Sequence, residues 1–190
     1  MTERLCRVLL LCLIVSLTAS GLVAAEPRSS DAPWVLIDTS TYRIDVFQGE
    51  RSLLSFDNFS VGRGGVGPDR QQGDNRTPLG EFRIRWVNLE SRFHRFLGFD
   101  YPTYEHVRRG YEQGLISHEE YLELGSAARS GRVPRQDSRL GGYIGIHGLG
   151  PADPDLHDKV NWTRGCIALT DAEIEQLMNY VDIGTRVVVR

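Results

Sequence analysis

The sequence predicts a mainly β domain with helices inserted into it or packed at its edge. Three observations carry that expectation. Short runs from Trp34 onward alternate apolar and polar residues. A polar block from Thr103 to Gly141 breaks that alternation. The chain then closes on one helix and one strand. Trp34-Val35-Leu36-Ile37-Asp38 is a compact apolar run, and Tyr42 to Phe47 has the two-residue period of a half-buried strand. Gln48-Gly49-Glu50 makes a turn, and Arg51 to Val61 returns as a third strand, so neighbouring strands with short turns predict an antiparallel sheet. Gly62 to Gly73 is loop-like, and Gly80 to Val87 alternates again. Within the polar block, Tyr104 to Gln113 and Ser117 to Ala128 read as helices, the second opened by a Ser117/Glu120 capping box. Its place before the next strand predicts a cap or lid over the sheet, with a solvated decoration as the alternative. Tyr143 to His147 is a short strand ending in a histidine. Gly148 to Trp162 is a loop, and Thr170/Glu173 is a second capping box opening a helix to about Tyr180. Arg186 to Val189 is a closing strand.

The residues ahead of this domain read as an address. Arg4 and Arg7 make a positive start, Val8 to Leu17 is almost wholly apolar, and Val23-Ala24-Ala25 precedes Glu26-Pro27. That order describes a secretory signal peptide over residues 1–25. The apolar run is shorter than a bilayer span requires. A lipoprotein signal fits less well, because Cys12 sits in the middle of the run. Residues 26–33 read as a linker and residues 34–190 as one domain. The formal net charge of −3 gives no basic excess for nucleic acid. No later segment is long and apolar enough to make a stable membrane span. Of three cysteines, Cys6 and Cys12 leave with the signal, so one exported thiol, Cys166, remains without an internal disulfide partner. A buried inert cysteine is the alternative on count alone.

The neighbours of Cys166 favour chemistry. Ile146-His147-Gly148 leads into the loop, which ends in Thr163-Arg164-Gly165-Cys166-Ile167-Ala168. A thiol becomes a strong nucleophile as thiolate, and an imidazole within reach can take its proton. Gly165 permits a tight turn beside the thiol and lets nearby N–H groups face a developing oxyanion.

This ordered set resembles the active-site signature of the L,D-transpeptidase catalytic domain, also called the YkuD domain: His, a loop of this length, Ser or Thr, any residue, Gly, Cys. Gly73-Asp74 with Thr77-Pro78-Leu79-Gly80-Glu81-Phe82 resembles the family's upstream segment, and Ile44 to Gly62 its opening strands. The resemblance covers nearly all of Trp34 to Arg190. It implies an L,D-transpeptidase-like β-sandwich acting on peptidoglycan stem peptides through an acyl-enzyme, without metal or organic cofactor. It also implies a periplasmic or otherwise exported, cell-wall-associated protein. By motif, Cys166 is the nucleophile, His147 the general base, and the Gly148 carbonyl orients the imidazole; Thr163, Arg164 and Gly165 shape the substrate and oxyanion side. Many members carry Arg or Asn where this chain has Ala168. Gly-Cys-Ile-Ala resembles a branch that includes proteins thought to hydrolyse wall-peptide amide bonds, so a cysteine amidase or carboxypeptidase stays open, as does a wall-linked protein as donor. A non-catalytic binding module is a further alternative. A papain-like protease fits less well, because its cysteine precedes its histidine.

Other residues read more plainly. Asp74 and Thr77 suit a turn. Asp153, Asp155, His157 and Asp158 crowd one loop in no recognisable metal-binding pattern and read as solvated. His94, His106 and His118 read as surface residues, and Tyr143 and Trp162 as packing. Arg76 and Arg164 are candidate partners for a substrate carboxylate.

Overall fold

The computed structural model describes residues 32–190; the expected signal peptide and all but the end of the linker lie outside the described residues. The strands are β1 (Pro33–Asp38), β2 (Arg43–Gln48), β3 (Arg51–Asp57), β4 (Val66–Gly67), β5 (Thr77–Pro78), β6 (Gly80–Ser91), β7 (His94–Phe99), β8 (Gly145–His147), β9 (Ile167–Ala168) and β10 (Arg186–Val189). The helices are α1 (Tyr104–Glu112), α2 (His118–Arg129), α3 (Pro154–His157) and α4 (Asp171–Met178). Eight strands form one sheet in the order β3-β2-β1-β10-β6-β7-β8-β9, and β4 pairs with β5 separately.

Alternation in sequence becomes one apolar layer. Val35 lies opposite Val46 on β2 and Val187 on β10, and Val187 lies opposite Phe82 on β6. All four side chains are buried, because residues two apart on a strand share a face. The expected antiparallel meander holds for β1, β2 and β3, but the sheet as a whole is mixed: β10 runs parallel to β1, and β9 parallel to β8.

Several boundaries differ from expectation. The third strand stops at Asp57, not Val61, because Asn58 turns the chain with φ of +65°. Phe59 and Val61 then re-enter the core, and Ser60 bridges Ala168. The two ends of the sheet therefore meet beside β9. The loop after Gly62 contains β4. Strand β6 runs on to Ser91 and pairs with β7, a strand the alternation does not announce. The last helix ends at Met178, short of Tyr180.

Both expected capping boxes form, at Ser117/Glu120 and Thr170/Glu173. The helical insertion builds its own small core from Val107, Ile116, Leu124 and Leu140. It is docked, not loose: Arg109 pairs with Asp69 at 2.9 Å and donates to the Pro68 carbonyl. His106, expected at the surface, is buried instead. Its ring stacks on Phe82 at 5.5 Å, Nε2–H donates to the Leu79 carbonyl, and Nδ1 accepts from Thr103. His118 is exposed as expected, whereas His94 is half-buried and bonds Glu175.

Candidate active site

Pairing of β8 with β9 sets Ile146 opposite Ile167 and His147 opposite Ala168. Both isoleucines are fully buried in the core. Alternation therefore turns His147, and the site of Cys166 one residue before β9, toward the other face. Cys166 thus sits in the turn one residue before β9, beside the strand that ends in His147.

The imidazole is held on every side. Its Nδ1–H donates to the Gly148 carbonyl at 2.6 Å, which leaves Nε2 as the acceptor nitrogen. Phe93 stacks on the ring at 4.4 Å, Trp162 meets it edge-on at 5.8 Å, and Phe96 lies at 6.5 Å. Phe93 arrives from the β6–β7 turn. Gly148 is a glycine because a Cβ there would overlap the Asp171 carboxylate, which accepts from the Gly150 N–H. Burial, with a smaller opposing pull from the Gly148 carbonyl bond, lowers the His147 pKa to about 4.

The Cys166 thiol is half-buried and donates to the Tyr143 carbonyl at 3.1 Å, not to the imidazole. Desolvation pushes its pKa up to about 11, against downward pulls from the Gly145 amide and the Arg70 guanidinium. Burial thus pushes both the thiol and the imidazole toward their neutral forms. Tyr143 is itself 66 % exposed and sits at φ of +54°. Its N–H donates to the Gln136 side chain, so the end of the helical insertion fixes the carbonyl that holds the thiol.

Thr163 ties the turn before the cysteine: its hydroxyl donates to the Cys166 carbonyl at 2.7 Å and accepts from the Gly165 N–H at 3.0 Å. The Gly165 amide is thus engaged within the turn. Arg164 and Arg76 point exposed side chains outward, and their carbonyls accept from Arg70. Arg70 was not singled out by its sequence context, a loop of turn-forming residues. In the crowded loop, Asp153 caps α3 and Asp158 accepts from Asn58, but His157 is buried against Ser60 and Trp162, which corrects the solvated reading for that residue. Among the described residues no group of three or more His, Cys, Asp or Glu is placed to hold a metal ion.

The two buried histidines give a stability prediction. His106 also has its pKa lowered from 6.5 to about 4, chiefly by burial. Above the unfolded value neither state binds the proton, so stability is level there. As pH falls from 6.5 toward 4 the unfolded chain protonates first, and each histidine removes up to roughly 3 kcal/mol. Thermal melts across this window are expected to fall steeply, with His106→Gln giving a shallower slope. An unchanged slope in that variant contradicts the assignment.

A mixed sheet that sets one thiol and one carbonyl-oriented imidazole on the same face has the layout of thiol-based acyl-transfer sites. Residues 32–189 match the family model of the L,D-transpeptidase catalytic domain, YkuD, and the chain belongs to that family. Two solved structures share the fold. Bdellovibrio bacteriovorus Bd1075 is 15% identical over 87% of this chain and 50% of its own, with a TM-score of 0.54. Campylobacter jejuni Pgp2, a helical cell shape determining protein, is 20% identical over 84% and 47%, with a TM-score of 0.54. An L,D-transpeptidase of Xylanimonas cellulosilytica is 18% identical over 86% and 63%, with a TM-score of 0.47. The chain thus spans about half the length of the first two. No curated protein matches the sequence.

Proposed function

We propose that this domain is an exported, cell-wall-associated cysteine acyltransferase that acts on peptidoglycan stem peptides. One observation carries the reading: a buried His147, its tautomer fixed by the Gly148 carbonyl, shares a sheet face with Cys166 one strand away. Nε2 takes the thiol proton as sulfur attacks the donor carbonyl, and the carbonyl π electrons become an oxyanion. Collapse breaks the C–N bond, and the leaving amine takes the proton back from His147. A thioester on Cys166 remains, and an acceptor amine resolves it. Burial disfavours the charged form of both groups, which favours proton transfer in step with attack.

Ala168 supports a second reading, in which water is the acceptor. It is fully buried opposite His147 and presents only a methyl group, so β9 offers no cation at this position to meet a substrate carboxylate. A wall-linked protein is an alternative donor under either reading.

The test incubates the protein with disaccharide-tetrapeptides from a diaminopimelate-type wall and follows products by mass. Cross-linked dimers or exchange of the terminal D-amino acid, absent with Cys166→Ala, establish transfer. Shortened monomers alone establish hydrolysis. No product from these muropeptides or from a wall-linked protein refutes the enzyme reading.

A further inference from the structure

Arg70 is 8% exposed, yet no carboxylate among the described residues lies within ion-pair reach of it. Its neighbours are engaged elsewhere. Asp69 pairs with Arg109 and accepts from Gln113, while Asp74 accepts from the backbone N–H groups of Gln71 and Arg76. Tyr101 offers its ring face at 6.0 Å but donates its hydroxyl to the Leu140 carbonyl. His106, which shares the small cavity beside Arg70, is neutral by burial. The Arg70 Nε is buried without a hydrogen-bond partner. Taking a cation out of water without a counter-charge is costly, and proteins seldom keep one.

Its position explains what it faces. Nη1 donates to the Arg76 carbonyl at 2.6 Å and to the Arg164 carbonyl at 3.1 Å, and so bridges the loop before β5 to the turn before the thiol. The guanidinium fills the space that a Cβ on Gly165 would occupy, one residue from Cys166, and also lies against Gly141.

We propose that Arg70 is a positioning residue of the site: its guanidinium fastens the backbone immediately before Cys166 and is the counter-charge for the thiolate of that residue. The proposal rests on reading Cys166 as the nucleophile. The missing carboxylate is then the point of the arrangement. The charge stays unneutralised in the resting enzyme and gains its partner when sulfur becomes anionic, as the proton passes to His147. The cation comes from a loop upstream of the whole helical insertion, not from the strand that carries the cysteine.

The experiment needs no substrate, so it stands apart from the test of the reaction. The pH profile of Cys166 alkylation by iodoacetamide is measured in the wild type, Arg70→Gln and Arg70→Lys, with thermal melts in parallel. Gln keeps a donor for the carbonyls and drops the charge; Lys keeps the charge. The midpoint is expected to rise by about one unit in Gln and to stay in place in Lys. Below the midpoint the Gln variant reacts about three- to four-fold more slowly, since the loss of thiolate outweighs the gain in intrinsic nucleophilicity. Coincident profiles for Gln and wild type overturn the proposal. If Gln fails to fold, Arg70→Met replaces it as the neutral variant. Failure of both neutral variants to fold also overturns the proposal, because Arg70 would then be a structural tie.

Discussion

Replacing His147 with glutamine is expected to leave the domain folded and to slow acyl-enzyme formation by about a hundred- to ten-thousand-fold, the range that a positioned base contributes. Glutamine can still donate toward the Gly148 carbonyl and fill the space between Phe93 and Trp162, but it offers no nitrogen lone pair to the thiol. The loss therefore falls on the chemical step. It is read by intact mass, as the rate at which a donor peptide adds to Cys166. The raised thiol pKa sharpens the expectation, because little spontaneous thiolate is present to bypass the base. Undiminished acylation in a folded variant removes His147 from the mechanism.

Gly165→Ala carries the largest expected loss of stability, on the order of 3 kcal/mol or more. Gly165 sits at φ of +122°, where an L side chain is strained. Its added Cβ would overlap Arg70 Nη1 and come within 2.6 Å of the Arg76 carbonyl, so either the guanidinium leaves or two backbone segments separate. Gly73→Ala is the matched control. It has φ of +92° but open space around it, and is expected to cost only about 1–2 kcal/mol. Denaturant midpoints of the two variants separate conformational strain from collision, and equal midpoints contradict the packing described at Gly165.

Much of this was legible from local signals. The compact apolar run from Trp34 to Asp38 announces β1, Ile44 and Val46 announce β2 by their two-residue period, and the capping boxes fix the starts of α2 and α4 through four side chains each bonded a turn away. His147, Gly148 and Cys166 stand out because one loop brackets them. What was not legible depends on residues far apart in the chain. His94-Arg95-Phe96-Leu97-Gly98-Phe99 shows no clean alternation, since Leu97, Gly98 and Phe99 are buried in succession. His106 sits on a helix rich in charge, and only Phe82 and Leu79, brought close by the sheet, make it a core residue. Arg70 reads as one more loop cation until Gly165 and Gly141 close around it. The parallel pairing of β1 with β10 leaves no mark on either strand alone.

That pairing has a kinetic consequence. β10 lies between β1 and β6 and joins the meander to the half of the sheet that carries the thiol and the imidazole. Its partner β1 is separated from it by almost the whole described chain. Contacts of such high order form slowly, because a long loop must close before pairing rewards it. As the chain folds, the meander and the helical insertion can organise early from local contacts, but the two halves of the sheet join only when residues 186–189 pair. A nascent chain short of β10 therefore exposes the open edges of β1 and β6 to any strand that meets them. Pairing of β10 thus decides whether the two halves of the sheet find each other or find a neighbour.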